Sequence, residues 1–558
     1  MYTVIFKIEG KSDVKVRCEK GDNILELART NGVAVDAPCS GSGTCGKCRM
    51  RLISGAVEME HSPRLSRDDY RDQWRLACQS RVSGDAVFYV PASAGAFQSD
   101  IRTADLSSAE ELSRYENAIG ELFDAGIEKG CAQPGVGVAI DIGTTTVTAA
   151  MLALDTGAVL SKASLGNGQI QYGADVINRI IQSAKPGGKE KLRQAVCEKT
   201  LCPIFERLCA GAGKAPEDIT RVTVAGNTTM EHLFVGEDAE SIRLEPFVPA
   251  FLEKHGLTAA EVKLPAKSDA PVILAPNVGS YVGGDITAGV LASRLWTEDE
   301  NTLFIDLGTN GELVLGNSEY MLCCACSAGP AFEGGDISCG MRATTGAVEA
   351  CEIDAETLAP TLSVIGGGKP LGLCGSGLIS IISELFRCKA ISAKGRFIRE
   401  HERIRYDEYG GASYVLAYAH ESGTGKDIEL DESDLDNFIR AKAAIFSAVR
   451  TMLNSLGMTV EDIDRIILAG GIGSGIDVGK AISIGMLPAI PLEKYSYIGN
   501  SSLTGACAML LSDAACDKVF ELGRNMTYLE LSTEAGYMDE FVAACFLPHT
   551  DASLFGGV

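Results

Sequence analysis

The chain has 558 residues, 46% of them hydrophobic, and a formal net charge of −24, with a mean hydropathy of +0.10 and an isoelectric point near 4.8. That much apolar material supports several cores, and the length sets an expectation of three or four domains. No run approaches the ~18 to 20 apolar residues of a membrane span, and so acidic a chain argues against nucleic acid, because nothing in it would displace counterions from a phosphate backbone.

The opening MYTVIFKIEGKSDVKV alternates like a strand and lacks the basic-then-apolar order of a secretory leader, so a cytoplasmic location is expected. A β-hairpin is predicted over residues 2–18, a helix from Asn23 to Asn31, and strands around Arg49–Ile53 and Val87–Val90. Between them lies APCSGSGTCGKC. Cys39, Cys45 and Cys48 are spaced C-x5-C-x2-C, and Cys78, in RLACQSR, follows after 29 intervening residues. Four thiolates are what a 2Fe–2S cluster requires, and Gly41, Gly43 and Gly46 let the loop wrap tightly enough to aim three of them. Zinc is the alternative, although C-x5-C is a wide start for a zinc knuckle. The spacing resembles the adrenodoxin-like branch of ferredoxins. That resemblance implies a β-grasp 2Fe–2S ferredoxin domain over residues 1–92, with Cys39, Cys45, Cys48 and Cys78 as metal ligands.

The chain has 19 cysteines, and the rest are scattered. CCAC (Cys323, Cys324, Cys326) with Cys339, Cys351 and Cys374 offers a second cluster only on paper. Cys323 and Cys324 are adjacent on a predicted strand and would face opposite sides, so they read as small buried residues. Cys18, Cys131, Cys197, Cys202 and Cys209 lack ligand spacing and read the same way.

Residues 93–133 form a linker. ASAGAFQSD is small and polar, and SSAEELSRYENAIGELFDAGIEKG follows as an amphipathic helix. Ser107 with Glu110, or Ser108 with Glu111, can make a capping box, and Leu112, Tyr115, Ile119 and Leu122 share one face. A hinge helix and an ordinary packing helix both fit.

The stretch DIGTTT, Asp141–Thr146, ends the apolar run Val138–Ile140 and returns as DLGTNG, Asp306–Gly311, after Leu303–Ile305. Glycine lets backbone N–H groups approach a phosphate, threonine adds a hydroxyl donor, and aspartate can hold a hydrated magnesium ion. Gly143, Thr144, Thr145, Gly308, Thr309 and Asn310 are therefore candidate nucleotide contacts, and Asp141 and Asp306 candidate magnesium-holding residues. Each turn has the same downstream partners. VTVAGNTT (Val222–Thr229) pairs with IILAGGIG (Ile466–Gly473), and NVGSYVGGDITAGVLA (Asn277–Ala292) with NSSLTGACAMLL (Asn500–Leu511). In the first lobe, residues 134–298, strands Val147–Leu154 and Ala158–Leu165 are predicted about the Asp155–Gly157 turn, with helices Tyr172–Ser183 and Lys189–Ala210. The second, residues 299–558, carries a long insertion: 164 residues separate Asp306 from Gly470, against 85 from Asp141 to Gly226. The insertion holds SAGPAFEGGDISCGMRATTGAVEA, GGGKPLGLCGSGLI, a tyrosine-rich stretch from Arg405 to Tyr418, and a long amphipathic helix, Asp434–Leu456. It is where a partner surface is expected.

A phosphate turn, a strand with a glycine turn and a small-residue crossing helix, given twice in order, resemble the actin, sugar kinase and heat-shock chaperone ATPase superfamily. The fold class that follows is a multidomain α/β chain: ferredoxin domain, helical linker and duplicated ribonuclease H-like, actin-like lobes. By that resemblance Gly470, Gly471 and Gly473 let adenosine lie against the backbone, and Asp285 at the crossing-helix start positions the attacking water. A plain helix N-cap is the other reading of Asp285.

Ferredoxin, linker and duplicated ATPase together resemble, over nearly the whole chain, the reductive activators of corrinoid-dependent methyltransferases. NVGSYVGGDITAGVLA, AGPAFEGGDISCGMRA, LCGSGLI and LAGGIGSGID look like hallmarks of that group. No C-x2-C-x2-C run lies near the end, so the resemblance is to the 2Fe–2S branch. It implies ATP-dependent one-electron reduction of Co(II) to Co(I) on a corrinoid protein of a methyltransferase system, with ATP, Mg2+ and a 2Fe–2S cluster, an upstream low-potential donor, an anaerobic setting and a homodimer. Alternatives are a nucleotide-gated redox sensor, an ATP-driven electron donor to a dehydratase and, with less support, a small-molecule kinase.

Overall fold

The computed structural model describes residues 1–35, 37, 41, 43, 46–62, 64–65, 67–91, 109–335, 337–407, 410–471 and 475–556. It divides into two compact units, Met1–Thr103 with Gly168–Gln182, and Ala104–Asn167 with Ser183–Val558.

In the first unit, β1 (Tyr2–Ile8), β2 (Val14–Cys18), β3 (Arg49–Met59), β4 (Trp74–Leu76) and β5 (Ser80–Val90) form one mixed sheet in the order β2-β1-β5-β3-β4. The expected hairpin is β1 and β2, and β1 pairs in parallel with β5. The helix Ile24–Thr30 starts at Asn23, whose side chain accepts hydrogen bonds from the N–H groups of Leu25 and Glu26. It buries Ile24, Leu25 and Ala28 in one core with Val4, Phe6 and Phe88. Strand β3 is longer than its alternation suggested. The interruption ISGA is absorbed by register shifts at Ser54 and Val57, where a Cβ on Gly55 would lie 1.9 Å from the Asp85 carbonyl oxygen. The predicted helix Tyr172–Ser183 begins later, at Val176. Asp175 accepts from the N–H of Asn178, which sets that start.

The second unit contains two six-stranded sheets. The first joins β6 (Val136–Ile142), β7 (Thr146–Ala153), β8 (Val159–Gly166), β9 (Ile219–Gly226), β10 (Leu257–Thr258) and β11 (Pro271–Leu274) in the order β10-β11-β9-β6-β7-β8. The second is built around β12 (Thr302–Leu307), β13 (Gly311–Gly316) and β14 (Met321–Cys326). With β21 (Arg465–Ala469), β22 (Tyr495–Tyr497) and β23 (Met526–Tyr528) it has the order β22-β21-β12-β13-β14-β23. The run β11-β9-β6-β7-β8 maps onto β22-β21-β12-β13-β14 with the same parallel and antiparallel neighbours. The lobe is therefore duplicated strand for strand.

Between β14 and β21 the insertion forms two three-stranded sheets. One holds β15 (Ala347–Ile353), β16 (Pro360–Val364) and β17 (Gly372–Leu373); the other holds β18 (Ile404–Tyr406), β19 (Ala412–Ala417) and β20 (Ile428–Asp431). The glycine of LCGSGLI has a local cause, since a Cβ on Gly377 would lie 2.0 Å from the Val348 carbonyl oxygen. Part of the tyrosine-rich stretch is core: Tyr414 is fully buried and donates to the Leu358 carbonyl. The long helix spans Glu432–Ser455, capped by Asp431.

Helices Gly284–Ser293 and Ser501–Leu511 cross where both are small. A Cβ on Gly505 would approach the Ala288 carbonyl oxygen to 2.1 Å, and one on Gly289 would lie 2.9 Å from Ser501 Oγ. Both helices share a core with Ala139 and Ala225 of the first sheet and Phe304 and Ile467 of the second. The helix Ala109–Asp124 joins that core through Ile119, Leu122 and Phe123, with Leu112 and Tyr115 packed against it, so within the described residues it is a packing helix. Ser107 and Ser108 lie outside them. Lys162 Nζ, buried on β8, bonds Glu111 at 2.8 Å and Tyr115 Oη at 3.0 Å, which fixes the helix to the first sheet. The predicted helix Lys189–Ala210 is Gly188–Val196 and Cys202–Ala212 joined by a π-turn, Cys197–Leu201, ahead of Pro203. Cys323 and Cys324 are buried in opposite cores, as adjacent strand residues must be. No helix among the described residues is long and apolar enough to cross a membrane.

Candidate functional site

The two phosphate turns sit at equivalent points of the duplicated sheets. Asp141, near the end of β6, pairs with Ala225 on β9, one residue before Gly226; Asp306 pairs with Ala469 on β21, one residue before Gly470. The first turn is held by Asn167, whose side chain donates to the Gly143 carbonyl and whose N–H donates to the Thr145 carbonyl, both at 2.9 Å. Asn227 Nδ2 donates to Thr144 Oγ1 at 2.9 Å. Gly143 is obligatory here, because a Cβ would sit 2.5 Å from the Thr146 carbonyl oxygen. In the second turn the Gly308 N–H donates to the Asn310 carbonyl.

The turns converge. Thr145 Oγ1 and Thr309 Oγ1 are 3.0 Å apart, and both reach one carboxylate, Glu333, at 2.7 and 3.0 Å. Each hydroxyl has one proton, so when both donate to Glu333 the Thr–Thr approach is a contact between acceptors. Asp141 is engaged by the second crossing helix, accepting from Asn500 Nδ2 at 2.8 Å and Ser502 Oγ at 2.9 Å. Asp285 is the second residue of the first crossing helix, whose N-cap is Gly283. The N-cap reading of Asp285 is thereby corrected: it lies inside the first turn, where a negative charge meets the helix dipole.

Burial and mutual repulsion dominate the electrostatics. Burial raises the pKa of Asp141, against the opposing hydrogen bonds from Asn500 and Ser502. Burial, then the charges of Asp306 and Asp141, pushes Asp285 up to about 8. Asp306 rises to about 7 through burial and Asp141, and Glu312, paired across the sheet with Asp306, is raised well above its ordinary value by burial, then by the charges of Asp285 and Asp306. Such a group demands protons or a cation. No set of three His, Cys, Asp or Glu among the described residues is close enough to ligate a metal directly.

Gly470 lies against the second turn: its φ is +91°, and a Cβ would lie 2.5 Å from the Leu307 carbonyl oxygen and 2.6 Å from Asp306 Oδ1. A Cβ on Gly471 would meet nothing within 4 Å. Both line a cavity of about 990 Å3 with Tyr115, Arg294, Tyr497 and Asn500. The three aspartates do not line it; Asn500, the partner of Asp141, borders both. Gly473 lies outside the described residues.

Sequence reasoning missed four supporting residues. Glu333 stands in a quoted motif without an assigned role, and Glu312 directly follows DLGTNG. Glu231 is fully buried and held above its ordinary pKa by that burial. It accepts from Asn277 Nδ2 at 2.9 Å, and Asn277 Oδ1 in turn accepts from the Gly284 N–H, which sets the start of the first crossing helix. Glu231 had a signal, an acid beside His232 in the mostly apolar run MEHLFV after VTVAGNTT. Asn500 is the fourth, hidden at the head of a motif chosen for its small residues.

In the first unit, Cys48 and Cys78 are buried. The Ala77 N–H donates to the Cys48 carbonyl at 2.9 Å, and Gln79 Nε2 bonds the Gly41 carbonyl at 3.0 Å and approaches Cys78 Sγ at 3.8 Å. Gly41, Gly43 and Gly46 all have positive φ. Buried thiols beside an amide donor, on a glycine-rich loop, fit a sulfur-ligated cluster. Cys39 and Cys45 lie outside the described residues.

Three family models match in series: residues 6–83 the 2Fe-2S iron-sulfur cluster binding domain, residues 136–298 the RACo middle region, and residues 300–558 the C-terminal domain of RACo, the ASKHA domain. The chain is similar to the corrinoid activation enzyme RamQ of Eubacterium limosum, 34% identical over 419 residues that cover 74% of this chain and 70% of the relative. It is also similar to the Co(II) methylated amine-specific corrinoid protein reductase of Methanosarcina barkeri, 24% identical over 433 residues, 70% of this chain and 73% of the relative. Among solved structures, the reductive activator for corrinoid, iron-sulfur protein covers 100% of both chains with a TM-score of 0.71 and 39% identity. Carrying the ferredoxin, middle and ASKHA regions in that order, the chain belongs to the RACo family of reductive activators.

Proposed function

We propose that this chain reductively activates a corrinoid protein, returning one electron to Co(II) to regenerate Co(I) at the expense of ATP. The observation that carries this reading is the convergence of Thr145 and Thr309 from duplicated lobes in a chain whose first unit also buries Cys48 and Cys78. When bound through Cys39, Cys45, Cys48 and Cys78, a 2Fe–2S cluster supplies the electron. Ferredoxin potentials near roughly −400 mV are too high for an acceptor at still lower potential, and each 100 mV uphill costs about 2.3 kcal/mol per electron.

ATP turnover supplies that difference through differential affinity, since only unequal binding to two states shifts an equilibrium. Thr144, Thr145, Thr309 and Asn310 offer donors to the phosphates. Asp141 and Asp306 would hold a hydrated Mg2+, and Asp285 would orient the attacking water. Gly470 and Gly471 present backbone to adenosine. The crossing helices carry closure of the cleft to the partner surface, where the corrinoid protein is gripped in its more reducible form and released after hydrolysis. A cytoplasmic, anaerobic setting and a low-potential donor that reloads the cluster complete the reading.

The test is an anaerobic mixture of the reduced protein with a Co(II) corrinoid protein, followed at the Co(I) absorbance band. Co(I) should accumulate with ATP and not without it. Equal accumulation without ATP would refute the coupling.

A further inference from the structure

We propose that Glu333 is a built-in stand-in for a nucleotide phosphate, latching the two phosphate turns together until ATP displaces it. The inference rests on the nucleotide reading of these turns and adds to it a residue that sets when the site opens.

The geometry is specific. Glu333 presents its two oxygens to two different lobes, Oε2 to Thr145 at 2.7 Å and Oε1 to Thr309 at 3.0 Å. These are the hydroxyls that the paired turns would offer to phosphate oxygens. A carboxylate and a phosphate are both anions that accept from such donors, and one pair of donors cannot serve both at once. Bound phosphate would also face the Glu333 charge across a short distance, where like charges repel.

The carrier of this carboxylate is a short 3-10 turn, Pro330–Glu333, bracketed by Gly329 at φ +73° and Gly334 at φ +75°. Phe332 anchors it, buried edge-on against Phe438 of the long helix with ring centroids 5.7 Å apart. Displacement of Glu333 is thus felt directly beside the anchor that joins this turn to the insertion. The latch therefore gives the expected partner region a mechanical report of phosphate arrival.

The experiment is a titration of the full-length protein with ATP and, separately, AMP, comparing wild type with Glu333→Gln and Glu333→Ala. Circular dichroism checks the fold of each. Both substitutions remove the competing charge, so each should tighten ATP binding about tenfold, equivalent to about 1.4 kcal/mol, and leave AMP binding unchanged. ATP binding that is equal or weaker in both variants would overturn the latch while leaving the nucleotide site standing. A parallel gain for AMP would also overturn it, because that signals general loosening. Failure of the wild type to bind ATP would overturn latch and nucleotide reading together.

Discussion

The hydroxyl oxygens of Thr145 and Thr309, 164 positions apart in the chain, lie 3.0 Å from one another. Two copies of one motif thus serve a single site, one from each duplicated sheet. Thr309→Val keeps the shape and removes the donor. A hydrogen bond to a charged group contributes about 1.5–3 kcal/mol, so ATP turnover should fall by about tenfold or more, and the melting temperature should also drop because the donor to Glu333 is lost. Steady-state phosphate release alongside a thermal melt checks both.

Asp141 is tied to the other lobe's crossing helix by Asn500 and Ser502. Ser502→Ala deletes one of two donors to a buried carboxylate. We expect a loss of about 1.5–3 kcal/mol, read as an earlier urea midpoint with an unchanged slope.

Asp285 and Asp306 have folded pKa values of about 8 and about 7, against an ordinary 3.8. Between about pH 4 and 8 the folded chain therefore binds more protons than the unfolded one. Their contribution to stability is complete below about pH 4 and is lost as pH rises through 7 to 8. Metal-free protein should melt at lower temperature at pH 8.5 than at pH 6, and Asp285→Asn with Asp306→Asn should flatten that slope. A steeper slope in the double variant would contradict the assignment.

Cys48 is buried on the cysteine loop. Cys48→Ser should lose the visible absorbance of the cluster while ATP affinity stays within about twofold, because the proposed nucleotide residues belong to the other compact unit. Optical spectra and isothermal titration measure the two properties separately.

Much of this was legible because local chemistry repeats. The Gly-Thr turns after apolar runs, the Gly470 turn after β21 and the small residues of both crossing helices each answer a constraint that the chain displays nearby. What stayed hidden depends on distant partners. Glu333 gains its place only when β14 delivers it between two turns, and Glu312 only through its pairing with Asp306. The linker helix carried no sign of whether it hinges or packs, since a face of Leu112, Tyr115, Ile119 and Leu122 serves either. Strand β3 was cut short by a glycine that makes a bulge rather than an end.

The most direct test of coupling between nucleotide and electron is stopped-flow mixing of reduced Asp306→Asn and wild type with Co(II) corrinoid protein and ATP. The account predicts that the variant takes up its electron normally yet yields Co(I) only at the level seen without ATP. Full Co(I) yield from Asp306→Asn, at the wild-type rate, would contradict it.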